Sequence, residues 1–396
     1  MHGRRRFLKT MGLSLMAASL PRSSGRAEVL GRTPQFSDAS ELVTLKALVL
    51  GANGDEVRVA VRNVAEAATD FSWLSRGDTV LIKPASNSAG LYPATTSPLA
   101  VRAIVGLLKE RGAGRVIVAD KPGVEHVYQD RERQRGSSRE AMTINGLHQA
   151  TVESGAEAHY FDEVGYDAYF ADRTEHGSHW KGELMFPNIL NQVDHVVLLP
   201  RVSRHVLAGT TLGLKAAVGW LRDDSRLELH RDAKSFFEKI AGINDARVLR
   251  KKLRLILTVA TKVQTTFGPD RGFAAEPDPG LVFGSTSLLA HDMISLGWLL
   301  WCREHATPPA EIARHRDPYQ TFPSLFNRLF VGYIWGVRQF LQSEAYGKVA
   351  IRSVGTDPVI SRAAALWGGL PRLELETLGA ELDEKIRTYL MDKATS

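Results

Sequence analysis

The sequence predicts an α/β protein: mostly parallel sheet flanked by helices, built from Rossmann-like βαβ units, with a helical section at the C-terminal end. Three observations carry that expectation. Short uninterrupted apolar runs, DTVLIK (Asp78–Lys83), RVIVAD (Arg115–Asp120) and HVVLL (His195–Leu199), have the length and branched residues of strands buried on both faces. Segments of helix length with apolar residues three and four apart lie between such runs. Glycine, proline and asparagine punctuate the junctions. Strands alternating with helices build a parallel sheet with right-handed crossovers.

The elements follow in order. Leu42–Leu50 reads as a strand leading to the turn Gly51-Ala52-Asn53-Gly54, and Val57, Val61, Val64 and Ala68 mark one face of a helix over 56–68. Pro84 stops the strand that ends at Lys83, and the polar loop 85–96 carries Asn87, Thr95 and Thr96. Ser97-Pro98 starts a helix and Gly112 closes it. The densely charged run Tyr128–Glu140 is a solvated loop or a lid, and one helix is expected over Arg139–Glu153.

The stretch His195–Leu221 organises the rest. It reads as a buried strand, a basic loop with Arg201, Ser203, Arg204 and His205, and then Gly209-Thr210-Thr211 as the start of an amphipathic helix carrying Lys215 and reaching Trp220. A strand at Lys252–Val259, a Gly/Pro-rich loop over 267–280, a strand at Leu281–Gly284 and a helix capped by Ser285-Thr286-Ser287, with Asp292 in its second turn, come next. Phe322–Leu341 is aromatic-rich but holds Asn327, Arg328 and Arg338, which suits a core or homodimer helix, or a peripheral membrane contact, rather than a bilayer span. Lys348–Val354 reads as a strand, Thr356-Asp357-Pro358 as a helix cap, and the last helix starts near Glu376. The expected division is a signal over 1–27, an α/β core over 28–310 and a C-terminal helical section over 311–396 packed on the core.

The formal net charge of +6 is a property of one end. Arg4, Arg5, Arg6, Lys9, Arg22 and Arg26 lie in the first 27 residues, which hold no acid; without them 44 basic residues face 44 acidic ones. A neutral body argues against nucleic acid as a partner. Arg4-Arg5-Arg6-Phe7-Leu8-Lys9 followed by the apolar run Met11–Leu20 resembles a twin-arginine export signal, with Gly25-Arg26-Ala27 as a cleavage site. The expected partner is then the twin-arginine translocase and the expected location the periplasm, with membrane association in reserve. The single cysteine, Cys302, rules out an internal disulfide and a four-cysteine iron–sulfur site.

Ligands of open α/β sheets lie at the carboxyl ends of strands, and helix N-termini there offer N–H donors to anions. Lys83 and Asp120 end strands expected to be neighbours, so they should meet at that edge. Neither GxGxxG nor GxxxxGK[ST] occurs in the loops after them, so no nucleotide cofactor is implied. His176 and His179 have HxxH spacing without a carboxylate at helical spacing, and no metal set is expected. No GxSxG supports a serine hydrolase.

Several pieces together resemble the domain-of-unknown-function family 362: VLIKPASN (Val80–Asn87), ATTSP (Ala94–Pro98), the run ending at Asp120 with Pro122-Gly123, PRVSRH (Pro200–His205), TTLGLK (Thr210–Lys215) and STSLLAHD (Ser285–Asp292). Ser203 and Arg204 depart from the Lys and Thr common in that family, Ala216 from an Asn, and Ser287-Leu288 from an Asp-Pro. With one cysteine, the iron–sulfur association of some members does not carry over. The resemblance leaves two functions open. One is an enzyme acting on an anionic small molecule or a metal-bound cofactor, with Lys83, His205, Lys215 and Asp292 as catalytic groups and Asn87, Thr95, Thr96, Asp120, Arg204 and Thr210 as ligand-binding ones. The other is a non-catalytic periplasmic binding or assembly factor using the same cleft.

Overall fold

Buried residues alternate between the two sides of each central strand, as the two-residue repeat of a sheet covered on both faces requires. In a computed structural model, which describes residues 35–396 apart from 178, 267, 269, 271 and most of 308–350, Val80, Ile82, Val197 and Leu199 pack under the helices Gly54–Ala68 and Pro98–Glu110. Leu81, Val196 and Leu198 face the opposite core with the helices Phe236–Asn244 and Leu288–His305. The result is a three-layer α/β/α architecture. The expected export signal and most of the aromatic-rich stretch lie outside the described residues.

In chain order the strands are β1 (Phe36–Leu48), β2 (Thr79–Pro84), β3 (Arg115–Asp120), β4 (Tyr128–Gln129), β5 (Gln134–Arg135), β6 (Glu157–Tyr160), β7 (Tyr169–Asp172), β8 (Leu184–Pro187), β9 (His195–Leu199), β10 (Ser203–His205), β11 (Gly209–Thr211), β12 (Leu253–Ala260), β13 (Val263–Gln264), β14 (Ala274–Ala275), β15 (Gly280–Ser285) and β16 (Leu370–Thr377). The main sheet has eight strands in the order β16-β1-β15-β12-β9-β2-β3-β6. Only β15 runs against the others in it. β10, β11, β13 and β14 form a second, four-stranded sheet at its carboxyl edge.

Several expectations need correction. The helix expected over Arg139–Glu153 is two, Ser138–Ile144 and Leu147–Glu153, because Gly146 takes a left-handed φ of 83° and Asn145 turns its amide to Ser86 Oγ and the Ser88 carbonyl. The loop after Pro200 is not irregular: Ser203–His205 and Gly209–Thr211 pair as a hairpin. The helix after it is one turn, Gly213–Ala216, continued as a 3-10 turn over Ala217–Trp220, and no threonine caps it.

The C-terminal section is not wholly helical either. Leu370–Thr377 alternates buried and outward residues and lies parallel to β1 as the edge strand, so the last helix begins at Glu384 rather than near Glu376. Ser353 caps a 3-10 turn, Val354–Thr356, in place of the end of the strand expected there. Among the described residues of the aromatic-rich stretch, Leu329, Tyr333, Val337 and Leu341 are exposed.

Candidate functional site

Parallel pairing of β2 with β3 brings the ends of both strands to one edge, and the side chains of Lys83 and Asp120 meet there at 2.7 Å with almost no exposure. Asp120 also accepts from the Ser86 N–H at 2.6 Å and the Lys121 N–H at 2.7 Å, so it ties the loop after β2 to the end of β3. Lys83 donates to the Pro84 carbonyl at 2.9 Å and lies 5.4 Å from the ring centre of Trp220. Burial pulls its pKa down and the Asp120 carboxylate pushes it back. The pair leaves no room for a side chain at Gly219, where a Cβ would come 2.5 Å from Lys83 Nζ and 2.7 Å from Asp120 Oδ1.

A second buried pair stands beside it. Lys121 is bonded to Asp223, whose other oxygen accepts from the Gln129 N–H at 2.6 Å. Burial and the neighbouring Arg226 lower the Lys121 pKa to about 8 against the pull of Asp223. Arg226 is buried, and the acceptors around its guanidinium are backbone carbonyls of Leu221, Lys121, Pro122 and Gly219.

Lys83, Asp120, Lys121 and Arg226 line an open cleft. Arg201, His205, Lys215 and His230 line the same cleft. His205 is 6% exposed, and its Nδ1 accepts from the backbone N–H groups of Leu207 at 3.0 Å and Ala208 at 3.1 Å. A nitrogen that accepts carries no proton, so the ring's proton sits on Nε2, and the residue lines the cleft. Burial holds the pKa of this ring well below the usual histidine value, and the Lys215 charge adds to it.

His230 has the other tautomer. Its Nδ1 donates to the Arg226 carbonyl at 2.8 Å one helical turn back, which makes Nε2 the acceptor, and burial followed by Lys215 pushes its pKa down to about 3. Lys215 makes no hydrogen bond or ion pair among the described residues and is half-buried. Burial lowers its pKa to about 8, with Glu125 and Asp270 opposing and Arg201 and Arg226 reinforcing. The cleft thus combines buried cations, a fixed N–H donor, a neutral imidazole acceptor and an amine that changes charge near neutral pH.

Of the expected site residues, Lys83, Asn87, Asp120, His205 and Lys215 line this cleft. The others are placed elsewhere. Asp292 lies on the far side of the short Gly213–Ala216 helix and accepts from the Gly213 N–H at 2.8 Å and the Leu214 N–H at 2.7 Å, so it caps the turn that carries Lys215. Its other neighbour is His291, at 3.0 Å, which reaches Thr258 at 2.9 Å; all three are buried. Thr96 bonds the Leu199 carbonyl and the Ala85 N–H, Thr95 the Gly90 carbonyl, Thr210 the Asp357 carboxylate at 3.0 Å, and Arg204 the carbonyls of His205 and Gly209. They build the loops around the cleft rather than line it.

Lys121, Glu125, Arg226 and His230 are cleft residues that sequence patterns did not single out. Asp223–Arg231 is a charged helix in sequence, and a charged helix is ordinarily solvated; only its packing against the loop after β3 turns Arg226 and His230 inward. His176, of the HxxH pair, is held by Asp245 through its backbone N–H at 2.7 Å and Nδ1 at 2.9 Å.

The fold and the cleft define an α/β protein with a basic site at the carboxyl edge of its sheet. The family described as Domain of unknown function (DUF362) matches residues 80–297, more than half of the chain, and the chain belongs to it. That span includes all but the first residue of β2, the strands from β3 to β15 and every cleft residue. A search of curated proteins gives no match. Among solved structures, a protein from Thermotoga maritima is 12% identical with a TM-score of 0.34, over 58% of this chain and 54% of that one. The lactate racemase apoprotein from Thermoanaerobacterium thermosaccharolyticum is 14% identical with a TM-score of 0.34, over 56% of this chain and 50% of that one. The chain spans about half the length of these two structures.

Proposed function

We propose that the cleft binds a small anion bearing a carboxylate or phosphate and that the protein is an enzyme moving a proton on it. One observation carries this reading: His205 lines the cleft and its Nε2–H has no protein acceptor among the described residues, beside an amine, Lys215, that is likewise without a partner. Arg201, Arg226 and Lys215 supply the charge that an anion needs.

The division of labour follows from protonation. His205 is locked neutral, because a proton on Nδ1 would displace two backbone donors, so it polarises a ligand oxygen and takes no proton there. Lys215, with a pKa near 8, holds or releases a proton at Nζ around neutral pH, and His230 Nε2 is an acceptor in the same cleft. The same locked ring favours a second reading, capture without turnover by a binding or assembly factor. Export by the twin-arginine route, on Arg4-Arg5-Arg6-Phe7-Leu8-Lys9, belongs to both readings, and fractionation of the host with an Arg4→Lys, Arg5→Lys control tests it.

The test uses calorimetry with inorganic phosphate and a panel of small carboxylates, each also incubated in D₂O and followed by NMR. Binding should weaken about tenfold or more in Lys215→Ala and be lost in the Lys215→Ala, His205→Ala double variant while circular dichroism is retained. Deuterium entering a bound carboxylate supports the enzyme; binding without exchange supports the binder. Equal binding by the wild type and the folded double variant overturns the site.

A further inference from the structure

Beyond the cleft floor, the loop after β3 and the loop before β14 place a donor set of a different kind at the cleft's mouth. Glu125, His126 and Asp270 each offer one ligand atom, and these atoms lie within 4.8 Å of one another. His126 Nε2 is 2.8 Å from Asp270 Oδ2. We propose that Glu125, His126 and Asp270 bind a divalent transition-metal ion at the mouth of the cleft.

The surroundings hold Asp270 and the turn that carries Glu125 and His126. The N–H groups of His126 and Val127 both donate to the Gly123 carbonyl, at 2.9 and 3.0 Å, and this tight turn presents consecutive residues 125 and 126 to Asp270. The Gly123 N–H in turn donates to the Asn87 carbonyl at 2.9 Å, which anchors the turn to the cleft loop. Asn87 Nδ2 donates to Asp270 Oδ1, orienting that carboxylate and leaving Oδ2 for His126. Ligating carboxylates are held by such outer hydrogen bonds.

Two carboxylates and one imidazole suit borderline ions such as Zn²⁺, Mn²⁺ or Co²⁺. Bonds of about 2.0–2.2 Å to each ligand need only a small spreading of the His126–Asp270 contact. Three protein ligands leave coordination positions open, as in catalytic metal sites. Glu125 also lines the cleft, so those positions border the space that the 6%-exposed His205 also lines. Its Nε2–H independently calls for an oxygen ligand, and an anion reaching from His205 to the metal satisfies both. The bridge rests on the anion reading; the metal site does not.

The experiment is a Co²⁺ titration of chelator-treated full-length protein, followed by visible absorption, with Zn²⁺ competition. One saturable equivalent is expected, weakened tenfold or more in Asp270→Asn and in His126→Ala, with the melting curve unchanged, and unaffected in His179→Ala, whose side chain lies in an exposed loop. No saturable binding, or Asp270→Asn titrating like the wild type, overturns the site. Phosphate calorimetry on the same metal-free protein separates the two readings: anion binding without metal binding sinks the metal alone, and metal binding without anion binding sinks the anion reading alone.

Discussion

Lys83 and Lys215 lie on one cleft, and the two sides they belong to differ in what their charges touch. On the β2–β3 side, Lys83 has Asp120 at 2.7 Å and Lys121 has Asp223, each pair buried and each carboxylate also holding backbone N–H groups. On the side built by the stretch after β9, Lys215 has no such partner among the described residues, and neither does the Nε2–H of His205. Residue types alone do not separate these roles. A buried charge with a carboxylate partner is part of the frame, because breaking the pair leaves the other charge stranded. A charge without one is costly to the apoprotein and available to a ligand.

The largest effect should come from breaking the frame. Asp120→Ala or Asp223→Ala strands a buried lysine and is expected to cost about 3–5 kcal/mol of stability in urea unfolding. A loss below about 1 kcal/mol would show that these pairs do not differ from the other side.

A smaller effect separates the two sides by pH. In chelator-treated protein, Lys215 loses its charge as pH rises through about 8, so phosphate affinity should fall roughly tenfold between pH 7 and 9 as the protonated fraction drops. Lys121 titrates over the same range, with its amine bonded to Asp223. The guanidinium of Lys215→Arg stays protonated throughout, so this variant should lose the dependence if Lys215 is its source. Persistence of the slope in that variant would reassign it to Lys121.

The smallest effect is on stability. Lys215→Met removes a half-buried amine that bonds nothing described and whose charge burial penalises, so its unfolding free energy should not fall below that of the wild type. A loss as large as that of Asp120→Ala would mean that Lys215 is a frame residue too.

Much of the sheet was legible because its signal is local. The run Arg115–Asp120 is a strand with those same bounds, and Asn53 caps the first helix with Glu56 completing the box. The Lys83–Asp120 meeting followed from two strands ending in polar residues on one parallel sheet. Asp292 shows where local reading stops. It was expected at the site and is near it in space, but its carboxylate is consumed by the N–H groups of Gly213 and Leu214 from a segment 78 and 79 residues away. The strand Leu370–Thr377 was left unassigned because its edge position leaves only one side packed and its outward positions carry charges.

By itself, then, the sequence determined the α/β class, the order of the central strands and helices, and the edge at which a basic site had to lie, since apolar runs, caps and turn residues act over a few positions. Tertiary structure alone decided which polar residues are frame and which face a ligand. The His205 tautomer depends on two backbone N–H groups beside it, the inward turn of Arg226 and His230 on packing of their helix, and the grouping of Glu125 and His126 with Asp270 on two loops 144 residues apart. Those contacts arise only when the sheet closes distances that chain order leaves open.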